Sequence, residues 1–154
     1  MNHFLKEQFD LIVSDLSALG GLFFYGLVFL MFFLLKEVQM AIKLLIGVIL
    51  VYIIVSLLRL FFFKERPMKK AHHNIIEKID AGSFPSMHAT RATFLFITLS
   101  NFFQNKLVTG FFILLVFLIA YSRWYLKKHY MRDLIIGAIL GLIVIFFIET
   151  FIKF

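Results

Sequence analysis

No cysteine occurs in the 154 residues. That excludes a disulfide framework, a thiolate metal site and a cysteine nucleophile. Acidic residues are few, nine Asp and Glu against sixteen Lys and Arg. They form no carboxylate cluster of the kind that holds Mg²⁺, so metal-independent chemistry with no cofactor is expected. Proline is nearly absent, with Pro67 and Pro85 the only two. There is no repeat and no low-complexity tract beyond a bias to Phe, Leu and Ile. The first residues carry Glu7, Asp10 and Asp15 where a secretory leader would be basic, and no cleavable signal is expected.

Apolar residues dominate instead. They make up 62% of the chain, with 22 Phe and a mean hydropathy of +0.94. Soluble domains are about 45–50% apolar. A soluble chain this small could not hide so much apolar surface, whereas lipid covers the outer faces of membrane helices. The expected fold is all-α: one membrane-embedded domain over 1–154, a helical bundle of about five spans. The net charge of +7 lies around apolar stretches, which points to lipid headgroups or phosphate and away from nucleic acid.

A bilayer core of about 30 Å takes roughly 20 helical residues. Runs suited to this are Leu16–Leu35, Leu44–Phe63, Ser86–Phe103, Leu107–Tyr125 and Leu134–Ile152. Ahead of them Leu5, Phe9, Ile12 and Leu16 recur at helical spacing. They predict an amphipathic helix, lying at the membrane interface or packed on the bundle. Short loops make spans one and two, and three and four, antiparallel neighbours. The longest polar connection, 64–84, has room for a short helix from Asn74 to Ala81.

Counting crossings brings three polar clusters to one membrane face. The first is Arg59 with Arg66-Pro67, seven residues and two turns apart. Guanidinium forks bind phosphate oxygens in pairs. The second is Pro85-Ser86-Met87-His88. Ser86 starts a helix whose N-terminal amides seat an anion, and His88 in its first turn can donate a proton. The third is Ser122-Arg123 followed by His129 and Asp133. At four residues' spacing, Asp133 is expected to share a helix face with His129 and accept its Nδ1–H, leaving Nε2 to attack. Singly, each has a plainer reading: a snorkelling arginine, a helix cap beside an interfacial histidine, a solvated His–Asp pair.

Together the segments 59–67, 85–88 and 122–133 resemble the signature of the type 2 phosphatidic acid phosphatase superfamily of membrane lipid phosphatases. That signature reads Lys-x6-Arg-Pro, Pro-Ser-Gly-His and Ser-Arg-x5-His-x3-Asp. The third segment matches throughout. Arg59 stands where the family usually has lysine, and Met87 where glycine is common. Many relatives have six spans. The resemblance implies that His129 is the nucleophile of a phosphohistidine, with Asp133 orienting it. It implies that His88 protonates the leaving oxygen, and that Arg59, Arg66, Ser86 and Arg123 bind the phosphate.

Other residues carry less. His72 and His73 read as a wet interfacial pair beside Lys69 and Lys70. Arg91, three residues after His88, is a candidate for the same pocket. Gly137-x3-Gly141 reads as close packing within the bundle. The expected partners are the bilayer and a lipid phosphate, drawn from polyprenyl diphosphate, phosphatidylglycerophosphate and phosphatidic acid. Oligomeric state is open. The basic residues gather on the side of the clusters, which argues for a cytosolic site. The resemblance argues for the outer face and is given slightly more weight, and the small size points to a prokaryotic cell membrane. Two rival functions are a lipid phosphotransferase using the same histidine and a non-enzymatic scaffold or transporter subunit.

Overall fold

In the computed structural model, residues 3–152 are described, and their regular structure is helical throughout. The helices are α1 (His3–Ala18), α2 (Leu22–Leu34), α3 (Val38–Phe61), α4 (Ile75–Ala81), α5 (Met87–Phe103), α6 (Lys106–Tyr125) and α7 (Met131–Phe151). The chain is an integral membrane protein. Apolar side chains cover its outside, among them Phe23, Phe61 and Leu107, each more than three-quarters exposed, as lipid contact permits and water would not.

The starts of the helices follow from capping chemistry. Asn105 accepts from the Leu107 and Val108 amides at the head of α6. Asn74 accepts from Glu77 at the head of α4, and the Glu77 carboxylate reaches back to the His73 amide at 2.6 Å. The expected short helix in the long connection is therefore present, one residue later than its cap.

α3, α6 and α7 are each long and apolar enough to cross a membrane. α1 and α2 add a fourth if they are read as one broken span, bent by 46°. Two features set the other expected runs apart from these three. The run Leu16–Leu35 is interrupted at 19–21. There the Gly20 carbonyl is taken by Arg91, which donates from Nε at 3.0 Å and Nη2 at 2.6 Å. A Cβ on Gly20 would lie 2.8 Å from Ile119 Cγ2, so α1 and α6 meet closely at this break. The second is α5, which has only 17 residues and buries Thr90, Arg91, Thr93, Thr98 and Ser100. It is the central helix, packed against α7, α6 and α3, and a helix sheathed by protein need not be apolar all round.

Small residues set how closely the sheath fits. A Cβ on Gly141 would come within 2.6 Å of the Thr90 carbonyl oxygen, and one on Gly137 within 2.7 Å of the Ser86 carbonyl oxygen. α7 therefore lies backbone-to-backbone on α5, the use expected of the Gly137–Gly141 pair. On the other side, Gly47 of α3 makes room for the Phe94 ring, which a Cβ would meet at 1.9 Å. α2 packs on α3 as its short loop requires, and Tyr25 donates to the Leu44 carbonyl at 2.6 Å.

The amphipathic α1 is present as expected. Only Val13 and Ser17 are buried, while Phe4, Leu5, Leu11 and Ile12 stay exposed. Its contacts run to α6, where Tyr125 donates to Asp10 at 2.7 Å and the Phe9 and Tyr125 rings meet edge to face at 5.3 Å. The free apolar face suits an interfacial helix.

Candidate active site

The C-terminal ends of α3 and α6, the N-terminal end of α5 and the loop before α7 converge on one cavity of about 410 Å³. Five of the seven expected residues line it: Arg59, Arg66, His88, Arg123 and His129. Met87, Arg91, Tyr52 and Ser56 complete one wall, and Ile76, Ile79 and Asp80 of α4 another. The other two expected residues, Ser86 and Asp133, are fully buried behind it.

The three arginines are held in different ways. Arg59, nearly inaccessible, donates twice to the Pro85 carbonyl, at 3.2 and 2.9 Å, and once to the Ile79 carbonyl at 2.9 Å. It does not snorkel; it ties α3 to the segment that leads into α5. The fork reaches two carbonyls together, which the single ammonium of a lysine would meet with less definition. Arg66 donates from Nη2 to the Asp80 carbonyl, and Arg123 from Nη1 to Ser17 Oγ at 2.9 Å. Their Nε atoms are both buried and have no hydrogen-bond partner. Both residues line the cavity, and a buried guanidinium N–H with no acceptor in the protein is costly.

His129 is 1% exposed. Its Nδ1 lies 2.8 Å from the main-chain oxygen of Ser83, so Nδ1 carries the proton and Nε2, which has no partner among the described residues, is free. Burial, then the charge of Arg123, pull its pKa down to about 3; the Ser83 hydrogen bond acts against them. Burial likewise lowers the pKa of Arg66. Asp80 is held below the carboxylate range, first by its hydrogen bond from Lys70.

The direct Asp133–His129 contact expected from their spacing is not formed. α7 begins at Met131, so His129 precedes the helix and the four-residue rule does not apply to the pair. Asp133 is instead the third residue of α7 and accepts the Tyr130 amide at 3.0 Å. Its carboxylate also accepts from Ser83 Oγ and, at 2.6 Å, from Lys64 Nζ. Asp133 thus reaches His129 through Ser83, whose hydroxyl it holds and whose carbonyl holds the ring. Ser86 is likewise turned inward. Its Oγ accepts the Ala89 amide at 3.3 Å, and its own amide donates to the Asp133 carbonyl at 3.0 Å. The side chain caps α5 and does not line the cavity, while His88 in the first turn does.

Lys64 and Ser83, which bond to Asp133 and, for Ser83, to the His129 ring, were not singled out in the sequence. Both sit in the long connection, where no periodicity marks a functional position. His72 and His73 are exposed outside the cavity, as expected, with His72 against the Phe63 ring at 5.2 Å. Among the described residues no three His, Asp or Glu gather in an arrangement fit for a metal ion.

Comparison with known proteins gives three similarities. The family described as the PAP2 superfamily matches residues 40–153. A lipid A 4'-phosphatase of Bacteroides thetaiotaomicron is 41% identical over 58 residues, 38% of this chain and 26% of that protein. The chain therefore matches about a quarter of the length of that relative. LpxE of Aquifex aeolicus has a similar crystal structure, with a TM-score of 0.75 at 22% identity, covering 94% of this chain and 84% of that one.

Proposed function

The chain belongs to the PAP2 superfamily, and from that membership we propose that it is a membrane lipid phosphatase with His129 as nucleophile. The observation that carries the proposal is the pair of buried, unpartnered Nε atoms of Arg66 and Arg123 beside the same cavity as the free Nε2 of His129. A phosphate there satisfies both guanidinium groups and meets the nucleophile. Arg59 adds positive charge, although its hydrogen bonds already run to main-chain carbonyls.

The chemistry follows in two steps. The Nε2 lone pair attacks phosphorus, and the bond from phosphorus to the lipid oxygen breaks. That oxygen leaves with the electron pair and takes a proton from His88. Water then attacks the phosphohistidine, gives a proton to His88, and releases phosphate and neutral His129. Arg66 and Arg123 stabilise the charge that spreads over the equatorial oxygens. Ser86 contributes by capping α5, and Asp133 by holding Ser83, whose carbonyl fixes the His129 ring. No step calls for a metal.

The substrate class is a phosphomonoester or diphosphate of a lipid. The name of the Bacteroides relative adds lipid A to polyprenyl diphosphate, phosphatidylglycerophosphate and phosphatidic acid. The test is phosphate release from these four by purified protein in EDTA. Turnover of at least one is expected, and its loss is expected in His129→Ala and in His88→Ala. Wild-type rates in His129→Ala would remove the nucleophile from this scheme. Loss of activity in EDTA, restored by a divalent cation, would overturn metal independence.

A further inference from the structure

A phosphate fills only the end of the cavity ringed by Arg66, Arg123, His88 and His129. The remainder runs along α3. Tyr52, Ser56 and Arg59 lie at the spacing of one helix face and all three line it. At 1.5 Å per residue, Tyr52 sits about 10 Å deeper along the helix than Arg59. Beside them, Met87 and Arg91 of α5 line the same cavity, Arg91 within hydrogen-bond reach of Tyr52. The cavity thus continues from the phosphate end along α3, with Tyr52, Ser56 and Arg91 as polar groups in a largely apolar lining.

Its polar groups are incompletely used. Arg91 gives Nε and Nη2 to the Gly20 carbonyl and Nη1 to the Tyr52 hydroxyl at 2.8 Å. One N–H on each Nη remains. The Tyr52 hydroxyl accepts from Arg91 and donates to no described group, and Ser56 Oγ has no partner among the described residues. Every vacant position can therefore donate, to an acceptor that the protein does not supply. Polar side chains inside a span are costly and are placed for function by default.

Depth decides what such acceptors belong to. Below the phosphate of an acyl-linked lipid come ester or amide carbonyls and hydroxyls. Below the phosphate of a polyprenyl lipid comes hydrocarbon. We propose that Tyr52, Ser56 and Arg91 form a second subsite that binds the carbonyl or hydroxyl acceptors of an acyl-linked headgroup. They are then the specificity-determining residues, selecting such lipid phosphates over those whose hydrocarbon joins the phosphate directly. This rests on the phosphatase reading and narrows its substrate class.

The test is a ratio measured within each protein. Wild type, Ser56→Ala and Tyr52→Phe/Ser56→Ala are assayed on dioleoyl phosphatidic acid, an amide-acylated glucosamine phosphate and a polyprenyl phosphate. The expected wild-type kcat/KM favours an acyl-linked substrate over the polyprenyl one by at least about tenfold. Loss of one donor is expected to lower that preference about 3- to 10-fold. The double variant lowers it further, through KM more than kcat. The arm that falls, ester or amide, identifies the source of the acceptor. A preference equal in wild type and both variants overturns the subsite while phosphatase activity stands. Phosphate release from none of the three by wild type overturns the phosphatase reading, and the subsite with it. Ser56→Ala is the smaller change and decides alone if the double variant does not fold.

Discussion

The ring of His129 faces the main-chain oxygen of Ser83, with Nδ1 at 2.8 Å, and not the carboxylate of Asp133. A carbonyl can only accept, so the ring is fixed in one tautomer with Nε2 bare toward the cavity. The carboxylate acts one step back, on the Ser83 hydroxyl. Asp133 is joined to the ring through Ser83, a serine outside the recognised segments, and under the proposed mechanism it positions His129.

Lys64 should matter because Asp133 is fully buried and Lys64 is its cationic partner. Lys64→Met leaves that carboxylate with neutral donors only. The expected loss is about 1.5–3 kcal/mol, the range for a hydrogen bond to a charged group, with Lys64→Arg recovering most of it. Thermal unfolding in detergent measures the loss. A wild-type Tm in Lys64→Met would show that the pair contributes nothing.

The protonation of His129 follows its burial. With its pKa pulled from about 6.5 to about 3, it stays neutral in the phosphate-free protein where an ordinary histidine charges. The sign for stability is that of a depressed base: the contribution is present above about pH 6.5 and lost as pH falls toward 3. Nitrogen NMR of labelled histidine checks this directly. The His129 signal should keep its neutral form down to below pH 5, and bound inorganic phosphate should shift its titration upward. A midpoint near 6.5 without phosphate would contradict the buried geometry.

Removing a phosphate donor should slow the reaction without unfolding the bundle. Arg123 makes one hydrogen bond within the protein, to Ser17, and leaves Nε bare. Arg123→Ala is expected to lower kcat/KM by about 100-fold, as loss of one preorganised oxyanion donor does elsewhere. Arg123→Lys keeps the charge and loses the fork, so it should recover only part. Steady-state kinetics on the preferred lipid phosphate separates these outcomes.

The glycines of α7 and α6 should respond in opposite ways to a methyl group. Gly141→Ala would push a Cβ to 2.6 Å from the Thr90 carbonyl oxygen of α5, backbone that cannot swing aside. The expected cost is about 1–3 kcal/mol. Gly110 in α6 has nothing within 4 Å of its missing Cβ, so Gly110→Ala should stabilise by up to about 1 kcal/mol. Paired thermal melts in one detergent measure both changes.

The membrane class, the all-α fold and the meeting of five site residues in one cavity were legible in the sequence. Apolar run lengths and the number of crossings depend on local composition and need no knowledge of packing. The breaks within the runs and the setting of α5 were less legible. Leu16–Leu35 reads as one uninterrupted run because apolar residues alone cannot show that the Gly20 carbonyl will be drawn to Arg91, 71 residues away in the chain. α5 reads as a span like the others, although its short length and buried polar residues make sense only once α3, α6 and α7 enclose it.

By itself the sequence determined which chemistry is available: two histidines, a set of arginines, and their placement near the ends of helices on one face. Those properties are set by residue identity and by helical rise. Only the tertiary structure decided which nitrogen of His129 is free, that Asp133 works through Ser83, that Ser86 caps and does not line, and that Tyr52 and Ser56 extend the cavity along α3. Each depends on contacts between residues distant in the chain. The direction a side chain takes at a helix end is set by the partner that packing brings to it, not by its spacing from its neighbours.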